Sequence, residues 1–328
     1  MDFFTCDVEQ RLGKENRLIK LNELLDWKRI GKLIKGLYKA EAHDKGGQRP
    51  YDSLKMFKAI LLGQWYSLSD PALEESLRVR LDFMHFTGFE LGCNLPDDTT
   101  LCRFRNRLIA KGLDSVVFEE LNRQLEQLQI KVSKCEGAIV DATIISSANR
   151  PNRTLEVDDK TGSIEVKESA DPDARWLKKG KQSYFGYRGY IRTDSQEGYI
   201  ESVHVRSANK AETHELARAI DTARSSRIYA DKGFASKANR DILKERKLKD
   251  GLMEKAARNR SLSYWQKLKN RLISKRRFIV ERTFGTLKRK FMLSRSSYCG
   301  ERKVEAQLIL KSICLNLLKA ANAVEIRL

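Results

Sequence analysis

The chain has 328 residues, of which 41% are hydrophobic and 33% are charged, and its formal net charge is +19. This composition excludes an intrinsically disordered chain, and the length suffices for two domains of ordinary size. The basic balance predicts a polyanionic partner, most often nucleic acid. Binding to a membrane surface is disfavoured, because no basic stretch carries an apolar, aromatic face. The sequence contains no run of about 18 apolar residues, so no transmembrane helix is expected.

Residues 1–130 are predicted to be mostly helical, because apolar residues recur at helical spacing and proline is rare. The expected helices span residues 50–66, 71–86, 99–111 and 114–130. Asp70 followed by Pro71 is expected to cap the second of these helices, and Gly112 is expected to end the third. Two short helices with a turn fit either a helix-turn-helix that reads DNA or a plain helical bundle, and both remain open.

The character of the sequence changes near residue 131, where KCEGAIVDATIISSA is dense in β-branched residues and predicts a buried strand. Residues 151–175 are polar and predict a long loop. Two further strands are expected in SYFGYRGYIRTD and GYIESVHVRSA, and short strands then alternate with helices. This order predicts an α/β fold, a ribonuclease-H-like mixed sheet with flanking helices, preceded by an all-helical N-terminal domain.

Two further expectations concern the second half of the chain. Asn209 and Glu212 have the spacing of a capping box ahead of the helix THELARAIDTA. From about Ser261 the chain is predicted to be helical nearly to its end. Six cysteines are scattered without a Cys-x-x-Cys pair, which argues against zinc and favours free thiols in a reducing cytosol.

Three acids stand out by their positions. Asp141 lies inside the apolar strand AIVDATII, Asp231 ends the strand RIYAD, and Glu281 is the only acid between Lys255 and Arg295, among fourteen lysines and arginines. Each has an ordinary alternative: a strand residue facing water, a turn aspartate, or a surface glutamate paired with an arginine one turn earlier. Together they predict a phosphoryl-transfer site, in which carboxylates hold two Mg²⁺ ions about 3.5–4 Å apart.

The basic run around Glu281 fits the same interpretation. Arg277, Glu281, Phe284 and Lys288 lie at i, i+4, i+7 and i+11, and therefore on one helical face. We expect the acid to point at the metal while Arg277 and Lys288 reach the backbone of a bound polyanion.

The chain resembles the DDE transposases of bacterial insertion sequences, specifically the insertion-sequence-five family. The resemblance rests on IVDATIISSANRP, DPDARWLKKGKQSYFGYRGYI, YADKGF and RFIVERTFGTLKRK, in this order, and on the stretch from PYDSLKMFKAILL to PDDTTLCRFRNRL. It covers roughly residues 40 to 320. Arg277, Glu281 and Lys288 fit the spacing of the family's glutamate block, whereas Ser274 stands where the family has tyrosine.

The resemblance implies that Asp141, Asp231 and Glu281 are the catalytic residues and the metal ligands. The bases expected to contact DNA are Arg277, Lys288, Lys178, Lys179, Lys181, Arg188, Lys232 and Arg282. Residues 1–130 would bind DNA ends and residues 131–328 would form the catalytic domain. The implied cofactor is two Mg²⁺ ions, with Mn²⁺ as an alternative.

The activity implied is cleavage of double-stranded DNA at terminal inverted repeats and joining of the 3′-hydroxyl to target DNA. At least a homodimer would act, in the bacterial cytoplasm and on the nucleoid. Two alternatives remain: a metal-dependent nuclease of the same fold that never joins strands, and a non-catalytic DNA-binding regulator derived from a transposase.

Overall fold

The computed structural model describes residues 3–13, 15–37, 50–132, 135–151, 154–157, 164–167, 169–257 and 259–324. The chain forms two compact units, one made of Met1–Val132 with Ile309–Leu328 and the other of Ser133–Leu308. The last helical segment therefore groups with the N-terminal helices, whereas the sequence assigned it to the second domain. No helix in the described part of the chain has the length and apolarity needed to cross a bilayer.

The first unit is built from helices. They are α1 Phe3–Leu12, α2 Arg17–Leu24, α3 Trp27–Leu33, α4 Ser53–Tyr66, α5 Asp70–Val79, α6 Leu81–Thr87, α7 Asp98–Ala110 and α8 Leu113–Gln127. The predicted helix over 71–86 is split at Arg80, whose backbone is extended and whose guanidinium binds Asp82. Ser69, and not Asp70, caps α5: its hydroxyl accepts a hydrogen bond from the Ala72 N–H, whereas Asp70 is the first residue of the helix and accepts two hydrogen bonds from Arg105.

The second unit contains a mixed six-stranded sheet. Its strands and the separate β2–β3 pair are β1 Gly137–Ser146, β2 Thr154–Val157, β3 Ile164–Lys167, β4 Arg175–Lys179, β5 Gln182–Asp194, β6 Ile200–Ser207, β7 Arg227–Ala230 and β8 Lys249–Leu252. The strand order is β4-β5-β1-β7-β8, and β6 also pairs with β5. β5 runs antiparallel to β1 and β6, whereas β1, β7 and β8 are parallel. This topology confirms the predicted ribonuclease-H-like fold.

Four helices follow the strands in the chain: α9 Leu216–Ala219, α10 Lys237–Glu245, α11 Tyr264–Arg289 and α12 Glu301–Ala323. One face of the sheet is covered by α9 and α10, where Val140 and Ala230 pack with Leu216 and Leu243 in a fully buried core. Because side chains alternate along a strand, Asp141 faces the opposite side, which α11 covers.

Three local expectations are wrong. The predicted loop over 151–175 contains β2 and β3, which pair antiparallel. The capping box does not form, because the side chain of Glu212 turns to Arg188 instead. The C-terminal helix is broken after Arg289, and the segment that follows pairs with the end of β1: the Ser146 N–H donates to Ser294 and the Ser296 N–H donates to Ser146.

Candidate active site

The register of two parallel strands brings Asp141 and Asp231 side by side. Val140 on β1 lies opposite Ala230 on β7, and each aspartate is the next residue along its strand. Asp231 caps the 3₁₀ turn Lys232–Phe234, and its carboxylate accepts a hydrogen bond from the Gly233 N–H. The position of this carboxylate is therefore set by the backbone of the turn as well as by the strand.

A guanidinium from α11 lies against both aspartates. Arg277 Nη2 is 2.8 Å from Asp141 Oδ2, and Nη1 is 3.9 Å from Asp231 Oδ2. The side chain of Arg277 is 12% exposed and that of Asp141 is 15% exposed, so the pair is largely withdrawn from solvent. Burial raises the pKa of Asp141 above its ordinary value, and the positive charge of Arg277 opposes that shift.

This placement of Arg277 differs from the expectation that it reaches a bound polyanion. The Nη1 group also contacts Met253 Sδ at 3.8 Å, and Nε is buried without a hydrogen-bond partner among the described residues. A buried guanidinium that leaves a donor unsatisfied is unusual in a site built only for stability. The two carboxylates attract a cation to the position between them.

Glu281 is one helical turn beyond Arg277 and is exposed. It lines an adjoining cleft of about 640 Å³, together with Lys179, Tyr184, Lys288 and residues of β1. Burial lowers the pKa of Lys288, and the neighbouring charge of Lys179 lowers it further. In the described parts of the chain no three His, Cys, Asp or Glu side chains form a ready metal cage, so Glu281 does not complete such a cage with the two aspartates in this structure.

The donor set nevertheless fits a hard divalent cation. Such ions take oxygen ligands, and carboxylates are their usual protein ligands. Asp141 and Asp231 already share one positive charge, that of Arg277, in a partly buried setting. A metal ion bound between the two carboxylates would compensate their charge in place of the Arg277 guanidinium.

The other predicted bases fall into two groups. Lys178, Lys179, Lys181, Lys232 and Arg282 are exposed, and Lys179 lines the cleft with Glu281. Arg188 is 12% exposed and pairs with Glu212 at 3.2 Å, so its charge is compensated within the protein. Ser274, at the family's tyrosine position, is exposed on α11.

Sequence reasoning did not identify Glu212 as part of this region. Its Oε1 atom pairs with Arg188, and its Oε2 atom lies where a Cβ on Gly233 would be. An acid three residues after an asparagine looks like a helix cap, and no local spacing distinguishes the two roles. Gly233, which follows Asp231 and Lys232, is the one feature of the sequence that indicates the close approach of another group to this turn.

Comparison with known families agrees with this geometry. A family model described as a transposase DDE domain matches residues 133–317, and a model described as a transposase domain (DUF772) matches residues 6–107. The fold, the paired aspartates and these matches define a nucleic-acid-processing enzyme. The chain belongs to the DDE transposase family, whose domains generally use divalent metal ions.

A curated relative is the transposase for insertion sequence element IS1106 from Neisseria meningitidis serogroup B. The two are 46% identical over 224 residues, which is 67% of this chain and 77% of the relative. Among solved structures, the piggyBac transposase synaptic complex with hairpin DNA matches at 10% identity and a TM-score of 0.42, covering 90% of this chain and 75% of that one. The Mos1 transposase paired-end complex matches at 12% identity and a TM-score of 0.21, covering 85% and 82%.

Proposed function

We propose that the chain is an insertion-sequence transposase of the insertion-sequence-five family, which cleaves DNA at the ends of its element and joins the new 3′-hydroxyl to target DNA. One observation carries the proposal. Asp141 on β1 and Asp231, which directly follows the parallel strand β7, share the charge of Arg277, and Glu281 lies one turn beyond Arg277 on α11. The identity to the IS1106 transposase supports the same activity.

Asp141, Asp231 and Glu281 would hold the cofactor, two Mg²⁺ ions or Mn²⁺ in their place. When bound, these ions activate the attacking oxygen and stabilise the leaving oxygen of the phosphodiester. Arg277 compensates the charge of the two aspartates in the metal-free protein. Glu281, which forms no ion pair with a described residue, is available as the third ligand.

The bases around the cleft would hold the DNA strand. Lys179 and Lys288 line the cleft beside Glu281, so they are placed to contact the phosphates that flank the scissile bond. The exposed Lys178, Lys181 and Lys232 would extend this contact along the backbone. Phosphate contacts of this kind position the DNA without reading its sequence, which leaves recognition of the ends to the helical unit.

The chemistry would proceed in two displacements at one site. Water attacks the phosphorus at the end of the element, the bond from phosphorus to the 3′ oxygen breaks, and a 3′-hydroxyl is released opposite a 5′-phosphate. That hydroxyl then attacks a phosphorus of the target DNA, and a 3′ oxygen of the target leaves. No residue of the protein becomes covalently attached, and joining two ends requires at least a homodimer acting on DNA in the bacterial nucleoid.

The test is a strand-transfer assay with Mg²⁺, a labelled duplex that carries the inverted repeats flanking the coding region, and a circular target. We expect labelled ends covalently joined to the target, and none with EDTA or with scrambled ends. Cleavage without joining would identify a nuclease. Binding of the ends without cleavage would identify a regulator, and either result would contradict the proposal.

A stability measurement tests the role of Arg277. Arg277→Met is expected to destabilise the protein in EDTA by about 3–5 kcal/mol, because removing one partner of a buried ion pair leaves the other charge uncompensated. Millimolar Mn²⁺ should restore part of that loss, since a cation that binds only the folded protein stabilises it. Denaturant unfolding with EDTA and with Mn²⁺ measures both effects.

Arg282→Met is the matched control, because Arg282 is on the same helix and exposed. Its free energy of unfolding should change by no more than about 0.5 kcal/mol, with or without metal. If Arg277→Met lost the same stability in EDTA and in Mn²⁺, the guanidinium would be an ordinary structural partner and not a substitute for the metal.

A further inference from the structure

The hairpin formed by β4 and β5 carries an exposed tryptophan beside a small pocket. Trp176 is 56% exposed, although tryptophan is a residue that folding usually buries. It lies directly opposite Phe185 in the strand pairing, and the two ring centroids are 5.5 Å apart with their planes tilted by 54°. The indole is therefore supported on one side by an aromatic neighbour, while more than half of its surface remains free to meet a ligand.

The pocket next to Trp176 has a volume of about 180 Å³. Besides the two aromatic rings, its lining includes Pro151, Pro172 and Arg175. Sites for drug-sized ligands generally have volumes of about 300–1,000 Å³, so this pocket is small by comparison. It accommodates one planar ring system and little more, with aromatic surface on one side and a guanidinium at its edge.

The guanidinium of this pocket is held in place by backbone groups. Arg175 Nη1 donates to the carbonyls of Pro172 and Ala174, the latter at 2.9 Å. These bonds fix the position of the group, and no carboxylate among the described residues pairs with its charge. Asp171, which also lines the pocket, is buried and accepts hydrogen bonds from two hydroxyl groups and a backbone N–H. The pocket therefore presents a fixed positive charge, which suits a phosphate group.

The charge of the hairpin indicates the class of ligand. Residues 175–185 contain four lysines and arginines and no acid, and all four bases are exposed. Such a surface repels a second copy of itself and attracts a polyanion. Aromatic rings among exposed bases are typical of sites for nucleic-acid strands, because bases stack on the rings while phosphates meet the cations. In a duplex the faces of the bases are covered by their neighbours, so stacking on Trp176 requires an unpaired nucleotide.

The two faces of the hairpin meet different surroundings. Because side chains alternate along a strand, Trp176 and Lys178 lie on one face of β4 and Lys179 lies on the other. Lys179 lines the candidate active-site cleft with Tyr184 and Glu281. Trp176 is therefore on the opposite face of the same hairpin from the cleft, where it can meet DNA that also reaches the active site.

We propose that this pocket binds one unpaired nucleotide of the DNA, with its base stacked on the indole of Trp176 and its phosphate against the guanidinium of Arg175; this inference rests on the proposed function. Lys178, on the same face of β4 as Trp176, contacts the next phosphate of that strand. Phe185 supports the indole from the other side. Holding a nucleotide in this pocket keeps the duplex open beside the cleft.

The experiment measures binding of the full chain to DNA in EDTA, so that neither metal nor cleavage is needed. The probes are a labelled single-stranded oligothymidylate and a duplex of the same length, followed by fluorescence anisotropy. Trp176→Ala should weaken binding of the single strand by about fivefold to a hundredfold, the range for loss of one stacked base. Binding of the duplex should change by less than about twofold, because its bases stay paired. Trp176→Phe, which keeps a ring, should recover part of the affinity.

Tryptophan fluorescence identifies the residue on which the base stacks. Trp27 and Trp65 are buried, whereas Trp176 and Trp265, which is 74% exposed on α11, are open to solvent. In Trp265→Phe the single strand should quench the emission of Trp176, and in Trp176→Phe it should quench little. Quenching that persists in Trp176→Phe and disappears in Trp265→Phe would place the base on α11 and overturn the inference.

An abasic strand of the same length separates the contact to the base from the contact to the phosphate. It has no ring to stack, so Trp176→Ala should leave its affinity unchanged. Arg175→Gln should weaken binding of both strands and make the slope of log affinity against log salt shallower by about 0.7, the value for one phosphate of a single strand. Lys244→Gln, on α10, is the control, because Lys244 is an exposed base outside the hairpin. An unchanged slope in Arg175→Gln would contradict the phosphate contact.

Strand transfer by the parent protein separates this inference from the proposed function. If the parent joins ends to the target and Trp176→Ala binds the single strand as tightly as the parent does, the pocket is not a nucleotide site, and the proposed function stands. If the parent binds neither the single strand nor the duplex, both proposals fail.

Discussion

Asp141→Asn is expected to abolish strand cleavage and leave the protein folded. A bound metal supplies several kcal/mol of transition-state stabilisation, and about 4 kcal/mol corresponds to a thousandfold in rate, so the loss should be at least of that order. The amide oxygen of asparagine can still accept the hydrogen bond that Arg277 donates at 2.8 Å. What is lost is the negative charge that a hard cation requires.

The stability of this variant should contrast with that of Arg277→Met. Asp141 is largely buried, and its ionised form is penalised there, so neutralising it removes a cost as well as an attraction. In this variant the positive charge of Arg277 would be balanced by the single negative charge of Asp231. We expect the free energy of unfolding in EDTA to change by no more than about 1 kcal/mol.

The measurements are cleavage of end-bearing DNA in Mg²⁺ and denaturant unfolding in EDTA on the same preparation. Asp241→Asn serves as the control, because Asp241 is an exposed acid on α10. It should cleave as the parent protein does. Undiminished cleavage by Asp141→Asn would remove Asp141 from the catalytic site, whatever its effect on stability.

Glu281→Gln is expected to separate binding from chemistry. Cleavage should collapse to a similar extent, because a neutral amide is a poorer ligand for a hard cation than a carboxylate. Binding of DNA in EDTA should hold or tighten, since the only acid among the surrounding bases has been neutralised and phosphates meet less repulsion. Stability should change by no more than about 0.5 kcal/mol, because Glu281 is exposed.

The structure argues against the ordinary alternative for Glu281, which is a surface ion pair with Arg277. A surface glutamate at this spacing would be expected to pair with Arg277, but Arg277 is engaged with Asp141 and Asp231. Gel-shift titration in EDTA and cleavage in Mg²⁺ are measured together, with Glu245→Gln on α10 as an exposed control. Retained cleavage by Glu281→Gln would leave the third ligand unidentified.

Both predictions concern residues that the sequence alone singled out. Asp141 was recognisable because a charge inside an apolar strand is costly to bury, and Asp231 because it ends a short strand just before a turn. The helix that carries Glu281 follows from apolar and basic residues at helical spacing. These signals are local, since strand and helix periodicity depend on neighbours along the chain, and the ribonuclease-H-like order of elements follows from them.

The partners of the charged side chains were decided by the tertiary structure. Helical spacing places Arg277 and Glu281 on one face, but the packing of α11 on β1 and β7 determines that the arginine meets the aspartates while the glutamate lines the cleft. Glu212 has the local spacing of a cap, and it becomes a neighbour of Asp231 because two turns distant in sequence meet across Gly233. Local spacing sets the direction of a side chain, whereas strand register and helix packing set what it meets, and those depend on contacts between residues far apart in the chain.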